Sequence, residues 1–550
     1  MEEVRQKVED AVDDLFNVKI EVALNRPAEQ FGDYATNIAL QLATQLNKKP
    51  GEIAEAIAAK LKDQFPKVEV ASPGFINITL SDSELWKLAE AAPENIYKNQ
   101  TIVIEHTDPN PFKEFHIGHA YSNTIGEALK RLFEVGGAAT HQVSYHGDVG
   151  LHIAMAIWGI KKQVTGERLE VSDLKEEDRR KFLGKSYALG ANHFKEDDKA
   201  AEEIREINKH IYDRDDDEIN KLYDLGRKWS FDYFEDIYKT LNVSFEKQYY
   251  ESETGHSGAK VVAENKDKVF KESDGAVVFE GDEEKGLHTR VFITSQGLPT
   301  YEAKELGLAL AKQKDYPKAN LFVVVTANEI NEYFKVLIAA LGEIDKELAN
   351  KIRHISHGLV KLPSGKMSSR TGEVITLMQV IEMLEAAVKK LAKENPESIN
   401  DNVLGALKYT FLKHRVGGDI IFDIEESISV EGNSGPYLQY ALVRANSILS
   451  KAKAVTSNLS PLTSFEPEER SLLRKLSEYP EVVKSAAQEL MPSHVCTYLY
   501  ELAQTFNRFY EQNRVIGDER ESIRIALVKK YTDTLKNGLM LLNIPTPEKM

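Results

Sequence analysis

Two short runs of continuously apolar residues, Thr101-Ile102-Val103-Ile104 and Leu321-Phe322-Val323-Val324-Val325, most constrain what this chain can fold into. Neither alternates polar with apolar, so each predicts a strand buried on both faces, as in a parallel sheet covered by helices. More than 200 residues separate them, so the α/β domain they build must be split. After the first run a helix is predicted from about Gly118 to Val135, stopped by Gly136-Gly137. His141–Tyr145 reads as the next strand, which completes a βαβ opening. Residues 161–285 are polar and charge-dense, with Asp213-Arg214-Asp215-Asp216-Asp217-Glu218 the extreme, and predict an insertion of solvated helices rather than a core sheet.

Outside this domain the pattern changes twice. Val4, Val8, Val12 and Leu15 have helical spacing, and Val18–Val22 is strand-like. A long helical region is predicted from Tyr34 to Leu61, then two strands, Val68–Val70 and Phe75–Leu80, joined by Ser72-Pro73-Gly74. From about residue 376 onward strands vanish and helical periodicity dominates. The fold class predicted is a multidomain α/β chain. Residues 1–98 form a small N-terminal α/β domain, residues 99–375 a Rossmann-type domain with its insertion, and residues 376–550 an all-α bundle.

Composition narrows the function. At roughly 150 residues per domain, 550 residues make three to four domains. The apolar segments are too short to span a bilayer, and no signal-peptide core opens the chain. A single cysteine, Cys496, excludes both an intramolecular disulfide and a Cys-rich zinc site, so a cytoplasmic location is expected. The net charge of −17 argues against a generally basic nucleic-acid binder, but residues 376–550 hold 23 acidic and 21 basic residues. A local basic face is therefore compatible with that segment.

Two further segments carry chemistry. His116-Ile117-Gly118-His119 lies where a helix should start after a parallel strand, with free N–H groups and a positive dipole end suited to phosphate. His116 and His119 project to nearly the same side, and Gly118 lets a nucleotide approach the backbone. Gly365-Lys366-Met367-Ser368-Ser369-Arg370-Thr371-Gly372 is a glycine-bounded, cationic, hydroxyl-rich loop that could swing a lysine onto a pyrophosphate leaving group. The pair suits attack of a carboxylate on the α-phosphate of ATP, a displacement that rests on positioning and charge stabilisation. Taken singly, the first could be only a helix cap and the second a surface turn.

In this order the two segments resemble the HIGH and KMSKS signatures of class I aminoacyl-tRNA synthetases, and the whole chain resembles the arginyl-tRNA synthetases. Phe31-Gly32-Asp33-Tyr34, Asn37-Ile38-Ala39 and Gly74-Phe75-Ile76-Asn77 are similar to that family's N-terminal domain. Pro109-Asn110 and Lys113 are similar to its catalytic entry, and Glu431-Gly432-Asn433-Ser434-Gly435-Pro436-Tyr437-Leu438-Gln439-Tyr440 resembles the opening of its anticodon-binding bundle. Thr546-Pro547-Glu548-Lys549-Met550 is similar to its C-terminus. One position departs: Ser369 stands where the second lysine of KMSKS is usual. The resemblance implies that Lys113 supplies the missing charge; Arg370, shifted by one residue, is the alternative.

The resemblance further implies a two-step ligation, from L-arginine and ATP to arginyl-adenylate and then to tRNA(Arg), with tRNA bound before efficient activation. His116, His119, Lys113 and Lys366 are the catalytic candidates. His116, Gly118, His119, His357, Gly358, Lys366, Met367 and Ser368 would bind ATP. A guanidinium in a dry pocket needs carboxylates in paired geometry, and Glu105, Tyr301 and Glu305 are implied, the last where the family more often has Asp. Asn110 would hold the substrate's α-amino or carboxylate end, and Gly147-Asp148-Val149-Gly150 with His152 places Asp148 beside the site. Asn77, Tyr437, Tyr440, Tyr510 and Met550 would contact tRNA, with stacked aromatics reading splayed bases. Mg²⁺ is expected only with ATP and no zinc is expected. Without a coiled-coil seam a monomer is expected, with no membrane partner. Isoacceptor preference and the role of residues 161–285 stay open. Among rivals, a cysteinyl enzyme would need zinc thiolates, and the isoleucyl, valyl and leucyl enzymes a longer editing insertion. A non-catalytic paralogue would not need the intact acidic pocket and both histidines.

Overall fold

In the computed structural model, which describes residues 1–167, 174–363, 375–391, 398–452 and 464–550, the two apolar runs become neighbouring strands of one five-stranded sheet. In chain order its strands are Thr101–Glu105, Ala139–His146, Lys247–Tyr250, Leu321–Ala327 and Ile352–His357. All pairings are parallel, and Thr101–Glu105 lies between Ala139–His146 and Leu321–Ala327. Strand order thus reverses between the first and fourth strands, which is where open α/β sheets bind ligands beyond their carboxyl ends. Ile102, Val103, Ile104, Val323 and Val324 are all buried, so neither strand needs polar alternation.

The predicted insertion is corrected in part. Helices do fill it, at Glu176–Glu196, Asp198–Asp213 and Asp217–Thr240, and they share a core around Trp158, Phe182, Ile204 and Trp229. However, Lys247–Tyr250 within it is an edge strand of the central sheet. Four residues reading Lys-Gln-Tyr-Tyr have no apolar run, because an edge strand with one partner need not be buried on both sides. A three-stranded antiparallel sheet follows, Lys271–Ser273, Ala276–Phe279 and Arg290–Ile293.

The helices Glu251–Glu264 and Tyr301–Asp315 cross at glycines. A Cβ on Gly258 would lie 1.8 Å from the Ala303 carbonyl oxygen, and one on Gly307 2.1 Å from that of Thr254. This crossing permits no side chain, and it fixes the helix that carries Glu251 against the one that carries Glu305.

The described chain divides into two units. One holds residues 1–94, 440–486 and 497–538, the other residues 95–439, 487–496 and 539–550. In the first, strand Phe75–Thr79 pairs antiparallel with Tyr34–Thr36 and Lys67–Ala71. The strand expected at Val18–Val22 is absent: only Val22 is fully buried, and its N–H goes to the Glu9 carboxylate rather than to a strand. The predicted helix Tyr34–Leu61 opens instead as strand and then breaks into Ile38–Leu46 and Pro50–Leu61, at Asn47 in the left-handed conformation and Pro50. Asp33 explains the Phe-Gly-Asp-Tyr segment. Fully buried, it accepts the Leu80 N–H at 2.7 Å and pairs with Arg470 at 2.8 Å, tying the N-terminal sheet to helix Pro467–Ser477.

In the second unit the Gly-Pro-Tyr segment serves as a joint. A Cβ on Gly435 would lie 2.1 Å from the Gly405 carbonyl oxygen, and Gln439 donates to the Asp401 and Pro545 carbonyls. Strands do not quite vanish after residue 376, since Ile420–Ile421 pairs with Val360–Lys361. None of the helices described is long and apolar enough to cross a membrane.

Candidate active site

At the sheet's reversal point, helix Ile117–Val135 begins with His116 as its N-cap. The Nδ1 of each histidine accepts the other's backbone N–H, at 3.3 and 3.4 Å, and the rings stack with centroids 3.5 Å apart. This reciprocal cap leaves the proton of each neutral ring on Nε2. Burial and the nearby Lys113 charge push the His116 pKa down to about 4; burial, then His116 and Lys113, hold His119 well below the ordinary range. At neutral pH both rings are therefore uncharged N–H donors beside a helix N-terminus.

A cavity of about 590 Å³ opens here, lined by His116, Gly118 and His119 together with Glu105, Asp108, Glu251, Tyr301, Glu305 and Tyr333. Asn110 is part of the same lining, with its Oδ1 only 2.4 Å from where a Cβ on Gly147 would be. His357, Gly358, Leu359, Val360 and Glu329 also line it. The structure thus brings together Glu105, Asn110, His116, Gly118, His119, Tyr301, Glu305, His357 and Gly358. The His357 ring itself is committed: Nε2 bonds Ser122 Oγ at 2.6 Å and Nδ1 the Gly358 carbonyl at 2.8 Å. Lys113 lines an adjoining cavity, its Nζ 4.7 Å from the centre of the Tyr187 ring.

Asp148 is not brought to the cavity. It is buried and accepts hydrogen bonds from Ser252 N and Oγ, Tyr223 Oη and Arg227 Nε, so its lone pairs are spent on holding the loop to helix Glu251–Glu264. Lys366, Met367, Ser368 and the rest of the second signature lie outside the described residues. The chain just beyond that loop is bonded to the first signature, with Ile117 N–H to Ile375 O at 3.2 Å and Leu377 N–H to Phe115 O at 2.9 Å.

Electrostatics define what the cavity accepts. Glu105 is salt-bridged to Lys312, and Glu251 to Lys304 at 2.6 Å. Asp108 and Glu305 have no lysine or arginine partner among the described residues. Burial, and next the Glu105 charge, hold both carboxyls well above the usual range. Asp108 and Glu251 went unpredicted. The signal for Asp108 was its place just before Pro109-Asn110, where Thr107 and Asp108 adopt positive φ of 83° and 44°, strain typical of functional loops. Glu251 lay hidden in the supposed insertion. A cation seated against Asp108 and Glu305 would favour their ionised forms and displace protons. Affinity for such a cation is therefore expected to rise as pH rises through these elevated pKa values and to weaken as pH falls below them. Calorimetry in buffers of different ionisation heat should detect net proton release, and proton uptake would contradict this assignment.

Comparison with known proteins decides the family. The family described as "tRNA synthetases class I (R), catalytic domain" matches residues 85–424, "Arginyl tRNA synthetase N terminal domain" residues 2–80 and "DALR anticodon binding domain" residues 438–550. The chain belongs to the class I arginyl-tRNA synthetases. Among similar relatives, an arginine–tRNA ligase of Borreliella burgdorferi is 30% identical over 98% of this chain and 95% of its own. One of Flavobacterium psychrophilum is 30% identical over 90% and 87%. The Thermus thermophilus arginyl-tRNA synthetase structure shares the fold over the full length of both chains, with TM-score 0.82 and 24% identity. The Plasmodium falciparum structure shares it over 100% of this chain and 99% of its own, with TM-score 0.79 and 20% identity. Within this arginyl-tRNA synthetase, the positions expected at tRNA differ in exposure. Tyr440 is 46% exposed but Tyr437 only 8%, so the two tyrosines do not share an open face. Tyr437 packs inward at the start of helix Gly435–Lys451, where its N–H is held by Ser434 Oγ. Tyr510 is half-buried, with the Arg444 guanidinium 4.8 Å from its ring centre. Asn77, on the outer face of strand Phe75–Thr79, and Met550 are also half-buried.

Proposed function

We propose that this arginine–tRNA ligase seats the substrate guanidinium against Glu305 and Asp108, with Glu105 and Tyr301 beside them, and holds the α-amino and carboxylate end at Asn110. The supporting observation is the imbalance of charge: two carboxyls with no salt-bridge partner among the described residues, in one cavity with a helix N-terminus and two neutral histidines. ATP would run from the backbone of His357–Gly358 past Gly118, with its α-phosphate at His116 and His119. The arginine carboxylate oxygen then bonds to the α-phosphorus as the bond to the pyrophosphate oxygen breaks, and pyrophosphate leaves with the electron pair. The Nε2–H groups of both histidines stabilise the charge that builds on the α-phosphate oxygens. In the second step a hydroxyl of the tRNA 3′-terminal ribose attacks the arginyl carbonyl carbon and AMP departs.

Lys113 and Lys366 are proposed to neutralise phosphate charge, with Met367 and Ser368 completing the nucleotide loop. Mg²⁺ is proposed to enter on ATP, held by phosphates and water. Residues 1–98, with Asn77, are assigned to the tRNA elbow, residues 99–375 to catalysis, and residues 376–550 to the anticodon. Exposed Tyr440 and half-buried Tyr510 would stack bases there, and Tyr437 and Met550 would support them. The protein is read as a cytoplasmic monomer. ATP–pyrophosphate exchange is expected with arginine in the presence of tRNA(Arg). Exchange with a different amino acid, or none, would overturn this reading.

A further inference from the structure

We propose that Lys181 and Lys185 grip the departing pyrophosphate and make up charge that the Ser369-containing loop lacks; this rests on the activation step above. A second cavity of about 810 Å³ shares Asn110, His116 and His119 with the first, so it begins where the α-phosphate would lie. Its walls are the HIGH entry, helix Glu176–Glu196 and the segment Thr376–Gln379 just after the second signature. From that helix Lys181, Lys185 and Asn192 face inward, on the stripe set by spacings of four and seven residues.

Exposed lysines on a helix are ordinarily just solvated. Three observations set these apart. The helix cannot turn about its axis, because its other face is buried through Phe182, Leu183, Ser186 and Gly190. A Cβ on Gly190 would stand 2.0 Å from the Met155 carbonyl oxygen, and one on Gly159 2.0 Å from that of Ser186. Neither lysine has an acidic partner among the described residues, and the acid on the cavity wall, Glu114, pairs with Arg180 at 3.4 Å. Lys113 lies against Tyr187 of the same helix. Three ammonium groups thus line one cavity with the helix N-terminus, suited to a polyanion. Their role is to offset the negative charge that builds on the leaving oxygen as it takes the electron pair from phosphorus.

The test is ATP–pyrophosphate exchange at saturating arginine and tRNA with Lys181→Gln/Lys185→Gln, and with Lys195→Gln on the same helix as the control. The double variant should raise KM for pyrophosphate about tenfold or more, with KM for arginine unchanged and the control unaffected. An unchanged KM for pyrophosphate would overturn the proposal. So would a rise confined to KM for tRNA, since the lysines would then serve phosphates of the acceptor end. Absence of arginine-dependent exchange in the unsubstituted protein would instead sink the activation reading itself.

Discussion

Glu305→Gln should lower kcat/KM for arginine by roughly 10²–10³-fold, the size expected when one partner of an enclosed charge pair is removed. The change keeps the side chain's shape and removes only its charge. In the empty protein that charge is a liability, because Glu305 ionises against burial and against Glu105 and Asp108. The same variant is therefore expected to melt at a higher temperature than the parent at pH 8, where the parent carboxyl pays most for ionising. Weaker arginine binding together with a more stable empty fold marks a ligand-binding charge; loss of both would mark a structural one. Glu105→Gln provides the contrast. It strands Lys312, which is 4% exposed, without its partner, and should destabilise the protein by roughly 3–5 kcal/mol. Exchange kinetics for arginine and thermal melts of the two variants measure both effects.

His119→Ala should cut the rate of adenylate formation by roughly 10²–10³-fold, the usual cost of removing one preorganised donor from a developing anion, with little change in KM for arginine. It should also cost about 1 kcal/mol of stability, since the His116 N–H loses its capping acceptor. With the His116 pKa at about 4 and His119 also far down, neither ring gains or loses charge between pH 6 and 8. kcat for the parent should then be flat across that window with respect to these groups. A rate rising or falling through a pKa near 6.5 that disappears in His119→Ala would show that the imidazole acts as an acid or base instead.

Some of this architecture was legible along the chain because its causes are local. A strand buried on both faces must be apolar at every position, so Thr101–Ile104 and Leu321–Val325 announced a covered parallel sheet. A helix start after such a strand leaves N–H groups free, so His116, Gly118 and His119 pointed to phosphate. Other readings failed where a neighbour distant in sequence decided the outcome. Lys247–Tyr250 is a strand because Ala139–His146 offers its edge, not because its residues demand it. Asp148 has the same side chain as Asp108, but one meets four donors and the other lines a cavity.

What the sequence by itself determined is the family and the split parallel sheet, with His116, Gly118 and His119 at a helix start on it. Each rests on short segments whose chemistry can be read in place. Only the tertiary structure decided which charges are compensated. Lys312 reaches Glu105 across more than 200 residues and Lys304 reaches Glu251 across 53, while Asp108 and Glu305 have no salt-bridge partner among the described residues. A carboxylate's role depends on the dielectric and the counter-charges around it, and those are set by chain segments that meet only when the sheet is assembled.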